Sequence, residues 1–76
     1  MSADARSRYN LLIVQSARLI WPGEQAQVTA AQWLALCDRL LAERILPEQL
    51  HDNLSRRRVM VLKVFPEAAS NLALTT

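Results

Sequence analysis

The chain has one cysteine, one histidine and one glycine, Cys37, His51 and Gly23, in 76 residues. A lone cysteine has no partner for an internal disulfide, so no staple replaces core, and the usage fits a reducing compartment; the cytoplasm is the expected location. One thiol and one imidazole fall short of the ligand sets that zinc or iron require, so no metal and no cofactor are expected. A single glycine, set in Trp21-Pro22-Gly23-Glu24, provides no phosphate-cradling loop. Long apolar runs are also missing. Leu11 to Val14 is too short for a signal peptide or a membrane span, and no membrane association is expected.

What is present is ordinary globular material: 51% apolar residues, 21% charged residues and a net charge of +2. The length suits one domain over 1–76 and excludes a two-lobed enzyme with a cleft between its halves. A chain this short buries only about 60–65% of its unfolded surface, so dimerisation or a partner is a natural source of extra stability.

Helical periodicity dominates the sequence. From Ala3 to Trp21 the residues Tyr9, Leu12, Ile13, Ala17, Ile20 and Trp21 recur three and four apart, and Pro22-Gly23 suits a type II turn that ends this helix. Thr29 with Gln32 reads as a capping box, and Val28 with Trp33 as the hydrophobic staple beside it. Trp33, Leu36, Cys37, Leu40 and Leu41 then give an i, i+3, i+4, i+7, i+8 stripe, expected at the centre of the core. Pro47 fits the first position of a third helix, with Leu46, Leu50 and Leu54 on one line. The run from Val59 to Phe65 is rich in β-branched residues, but no second strand candidate exists to pair with it. Helix to about Val61 followed by an extended connection is the reading, and Pro66-Glu67 opens a short last helix through Ala69 and Leu72 to Leu74. The fold class is therefore all-α, a compact bundle of three main helices plus a short C-terminal helix. Its expected core is Leu12, Ile13, Ile20, Trp33, Leu36, Cys37, Leu40, Leu41, Leu50, Leu54 and Phe65.

No constellation carries chemistry. Cys37 lies within the apolar stripe, where a thiol packs as a small hydrophobe. His51 adjoins Asp52 and stands one turn from Ser55, but neighbouring residues diverge on a helix and nothing supports Ser55 as a nucleophile. No enzyme is expected. The sharpest charge feature is Arg56, Arg57, Arg58 and Lys63, four cations in eight residues with no acid between them. The arginines fan over roughly 200° of helix surface, too wide for one flat partner, and Arg58 continues the Leu46-Leu50-Leu54 line with its head at the edge or paired to a carboxylate. With Arg6 and Arg8 as a second basic spot, these residues are candidates for nucleic-acid or acidic-protein binding. A helix-turn-helix with Gln49, Asn53, Arg56 and Arg57 on its reading face is disfavoured, because Glu48 and Asp52 would stand near phosphates at its leading end. A ribbon-helix-helix dimer fails because its strand would have to precede the helices. Apolar positions beyond the capacity of so small a core, Leu11, Val14, Leu34, Val59, Met60 and Leu62, are candidate contact or homodimer surfaces.

The order of features carries one resemblance. A helix ending in Trp21-Pro22, a capped helix bearing Trp33 and Leu40-Leu41, a break before Glu48-Gln49-Leu50, the basic Arg56-Arg57-Arg58 and Phe65-Pro66 opening a last helix together resemble the small helical domain of phage replicative-helicase loaders, of the lambda replication protein P and Bacillus-phage loader type, over about residues 9–74. Those families use a helical domain for docking and a flexible extension to grip the replicative helicase. The resemblance covers the helical domain only and implies structural roles for Trp33, Leu40 and Phe65-Pro66. The expectation is a non-enzymatic adaptor or inhibitor that docks on another protein, of phage or mobile-element replication machinery. The alternative is a small DNA-binding transcriptional regulator using Arg56 to Arg58.

Overall fold

The computed structural model describes residues 1–21 and 28–69. It contains three helices, α1 (Ala3–Ile20), α2 (Ala30–Glu43) and α3 (Glu48–Val64), and each packs against the other two. A further helical turn opens at 67–69, where the Ala68 amide donates to the Phe65 carbonyl at 3.0 Å. The described residues contain no strand. The turn read at Pro22-Gly23-Glu24 and the last helix beyond Ala69, with Leu72 and Leu74, lie outside the described residues.

Each start has a local cause. The Ser2 hydroxyl accepts from the Ala5 amide at 3.1 Å, satisfying one of the open donors of α1. Thr29 and Gln32 close the full capping box on α2, with reciprocal bonds of 3.1 and 3.0 Å. Val28 packs, half-buried, on the cluster that holds Trp33. Pro47 is not the first helical residue; with ψ at 150° it is the N-cap of α3, one position earlier than expected. The end of α2 is less comfortable. Arg44 adopts the left-handed conformation, φ 55° and ψ 37°, a position that glycine usually fills.

Two expectations about the packing are corrected. The first concerns α2, whose buried residues are Ala30, Trp33, Leu34, Cys37 and Leu40, while Leu36 is 47% exposed. Leu34, expected on a contact surface, has no exposure at all. Both stripes share Trp33, Cys37 and Leu40 and differ by a modest rotation of the helix. Because α2 contacts α1 on one side and α3 on the other, the Cys37 line faces the gap between them. Leu34 lies about 60° from that line and Leu36 about 100°, which carries Leu36 to the edge beside α1. The second correction is that α3 does not stop near Val61; it runs to Val64, and the Phe65 amide still bonds the Val61 carbonyl at 2.8 Å. The β-branched run costs some helix propensity, but helix satisfies its backbone groups internally and buries Val61 completely.

The core joins all three helices through Leu12, Trp33, Leu34, Cys37, Leu40, Leu54 and Val61, closed at one end by Ala68. Of the expected core, Ile13, Ile20, Leu41 and Phe65 are half-buried around it. Trp33 does more than fill space. Its indole Nε1 donates to the Leu12 carbonyl at 2.8 Å, a buried bond between α2 and α1 that the sequence pattern does not signal. The molecule is flat, 32 × 31 × 18 Å. So thin a body encloses little volume, and large apolar side chains are left outside.

Candidate functional site

The basic cluster divides among three directions instead of forming one face. Arg58 turns to α2, where its Nε and Nη2 meet the two carboxylate oxygens of Asp38 at 2.5 and 3.3 Å, a bidentate pair. The Asp38 carboxylate holds the Arg58 guanidinium above its ordinary value. Arg57 turns the other way, to α1. Its guanidinium lies over the Trp21 ring, 5.4 Å from the centroid, and Nη1 donates to the Ser16 hydroxyl at 3.4 Å. Ser16 is fully buried and donates in turn to the Ile13 carbonyl at 2.7 Å, so the group that holds Arg57 is itself fixed. Arg56 and Lys63 point to solvent on the back of α3.

Arg6 and Arg8 do not join this set. Arg6 is exposed, and Arg8 makes a two-pronged hydrogen bond to Glu43 near the end of α2, with Asp4 at 3.6 Å. That hydrogen bond raises the Arg8 guanidinium and lowers the Glu43 carboxyl from their ordinary values. Arg8 and Trp21 stand roughly 20 Å apart along α1, so Arg8 is remote from the place where Arg57 docks.

The arrangement at the other end of α1 is more suggestive. Ile13, Val14, Ala17, Arg18 and Trp21 of the α1 segment, with Arg57 of α3, line an open groove of about 570 Å³. Val14 and Trp21 are 47% and 48% exposed, so the groove presents an aliphatic floor and an aromatic end to solvent. Among the described residues no carboxylate lines it, and none pairs with Arg18 or Arg57. A smaller recess lies between α1 and α2, where Leu11 and the misplaced Leu36 meet Arg8, Leu12 and Gln15. Val59 and Met60 of the expected contact surface are exposed on α3 together with Val64, and Leu62 is half-buried against the core. The sequence reading did not single out Trp21 or Arg18 as surface groups; their only signal was an apolar ring and a cation on the last turn of the first helix.

The candidate chemical groups are differently placed. Burial, reinforced by the nearby Asp38, pushes the Cys37 thiol up to about 12, with Arg58 opposing. It is a packing residue. The Ser55 hydroxyl donates to the His51 carbonyl at 2.9 Å, a bond within its own helix. Among the described residues no three His, Cys, Asp or Glu side chains converge as a metal site, and no helix is long and apolar enough to cross a membrane.

No family model, curated protein or solved structure matches the chain.

Proposed function

We propose that the chain is a non-enzymatic protein-docking module, an adaptor or inhibitor, and that its target belongs to phage or mobile-element replication machinery. The observation that supports docking is the groove walled by α1 and α3, where Val14 and Trp21 keep about half of their surface in water. Apolar side chains gathered in one recess, instead of scattered singly, are the surface that docking on another protein would cover. The replication target is supported by the resemblance to helicase-loader helical domains, from the Trp21-Pro22 pair to Phe65-Pro66.

A DNA-binding regulator draws less support. It needs the triple arginine and the Arg6–Arg8 spot on one face, whereas Arg58 is paired with Asp38, Arg8 is paired with Glu43, and Arg57 turns to α1, away from Arg56 and Lys63. A phosphate-tracking surface wants its cations unpaired and in register.

The test is a titration of the fluorescently labelled chain with a purified replicative helicase and its loading partners, read by anisotropy, with helicase loading onto DNA as the activity. A saturable complex that Val14→Asp abolishes and Arg44→Glu leaves intact supports the proposal, and the loading assay separates adaptor from inhibitor. Binding to duplex DNA that weakens steeply with salt, with no protein complex, refutes it.

A further inference from the structure

The groove between α1 and α3 has a shape, a backbone environment and a charge that together narrow what fits it. Its apolar positions run from Ile13 to Trp21, roughly 12 Å along α1, which matches two turns of a docking helix. An extended peptide would need a strand edge to take its amides and carbonyls. The groove here runs along α1, with Arg57 reaching across from α3; the amides of α1 are bonded within the helix, and the described residues contain no sheet to extend. A segment that lies in the groove must satisfy its own backbone, as a helix does.

Charge then selects the kind of helix. Arg57 spends one of its N–H donors on the Ser16 hydroxyl and offers its face to Trp21, two neutral partners that fix its position and, among the described residues, leave its charge unanswered. Arg18 stands on the same rim with no carboxylate paired to it among the described residues. A guanidinium already held in place loses little freedom when a carboxylate arrives, so Arg57 is the better prepared of the two. Resting on the docking reading above, we infer that the groove receives an acidic amphipathic helix of another protein. Its apolar edge seats on Ile13, Val14 and Ala17, and its carboxylates meet Arg18 and Arg57.

Two other occupants fit less well. A second copy placed across a two-fold axis sets this patch, with Arg18 and Arg57, against itself, with no acid among its described residues to answer the two cations. A nucleic-acid strand finds two cations and an aliphatic floor, with Trp21 as the single aromatic ring on which a base could stack.

The experiment is selection from a displayed library of helix-forming peptides about five turns long, with acidic, basic and neutral residues equally represented at every surface position. Selection is run on the full chain and on Val14→Asp, Arg18→Glu and Arg57→Gln. The expected winners carry apolar residues at i, i+3 or i+4, and i+7 flanked by Asp or Glu. They bind Arg18→Glu about tenfold more weakly than the native chain, and Val14→Asp not detectably. Arg57→Gln keeps a hydrogen-bonding side chain at that position and is expected to weaken binding without unfolding the chain, which circular dichroism checks. Enrichment of basic or neutral helices overturns the inference, as does no enrichment above the Val14→Asp background. A mixed-sequence single-stranded oligonucleotide that binds through Arg18, or a dimer that Val14→Asp dissolves, overturns it in favour of the other occupant. If a replication protein binds the chain, loses it on Val14→Asp and keeps it on Arg18→Glu, the docking proposal stands and the acidic occupant alone is wrong.

Discussion

Leu34 and Leu36 stand two residues apart on α2, and the structure assigns them opposite fates. Leu34 is wholly enclosed between the helices, so truncation to alanine removes buried methyl groups and leaves a hole. Buried Leu→Ala substitutions cost about 2.7–5 kcal/mol, and a flat body with few layers to collapse belongs near 3. A domain of this size has roughly 4–11 kcal/mol in total, so that loss is a large fraction of its stability. Leu36 keeps 47% of its surface in water already. Its truncation forfeits at most about 1 kcal/mol of partial burial, and alanine returns a few tenths through better helix propensity. Urea unfolding followed by tryptophan fluorescence measures both losses, and in a thermal melt the midpoint should fall by roughly 12–24 °C for Leu34→Ala against a few degrees for Leu36→Ala. Equal losses, or a greater loss at Leu36, would refute the placement of the Cys37 line at the meeting of the three helices.

Local geometry sets further outcomes at three residues. Arg44 occupies a left-handed position at the end of α2, so Arg44→Gly should stabilise the fold by about 0.5–1 kcal/mol in the same urea assay. Cys37, with its thiol pushed up to about 12, should react with a disulfide reagent at pH 8 only as fast as the chain opens, and at once in denaturant. Because the folded value lies above the unfolded one, that thiol's contribution is complete below about pH 8.5 and is lost as pH climbs towards 12, which unfolding midpoints of Cys37→Ala and the native chain can compare. Glu43 works in the opposite sense. Its carboxyl is held below the ordinary range by Arg8, so its contribution is present above about pH 4.3 and fades as the solution is acidified through the lowered value. Any difference in urea midpoint between the native chain and Glu43→Gln at neutral pH should shrink in acid.

The elements themselves were legible because helical signals in this chain agree with one another. Thr29 and Gln32 cap where the apolar period begins, Pro47 stands at the head of the third helix, and no second strand candidate exists to pair with Val59 to Phe65. The rotation of α2 was not legible, since Leu34 and Leu36 are chemically identical and each completes a plausible stripe with Trp33 and Cys37. Only the simultaneous contact with α1 and α3 decides between them. The same holds for the arginines. Their fan over the surface of α3 follows from adjacency, but Asp38 as the partner of Arg58, and Trp21 with Ser16 as the seat of Arg57, are tertiary facts separated by 20 residues or more in the chain. The groove was half visible: Val14 stood out as surplus apolar surface, whereas Trp21 was counted as a residue of the helix's apolar face.

The most direct measurement is an amide and indole nuclear magnetic resonance footprint of the isotope-labelled chain, taken at saturation with its protein partner. Shifts gathered on Val14, Ala17, Arg18, the Trp21 indole and Arg57, with the Trp33 indole unmoved, are the expected result. Shifts centred on the Arg44, Glu48 and Asp52 end of the molecule, or a bound state that leaves the Trp21 indole untouched, would contradict a docking site between α1 and α3.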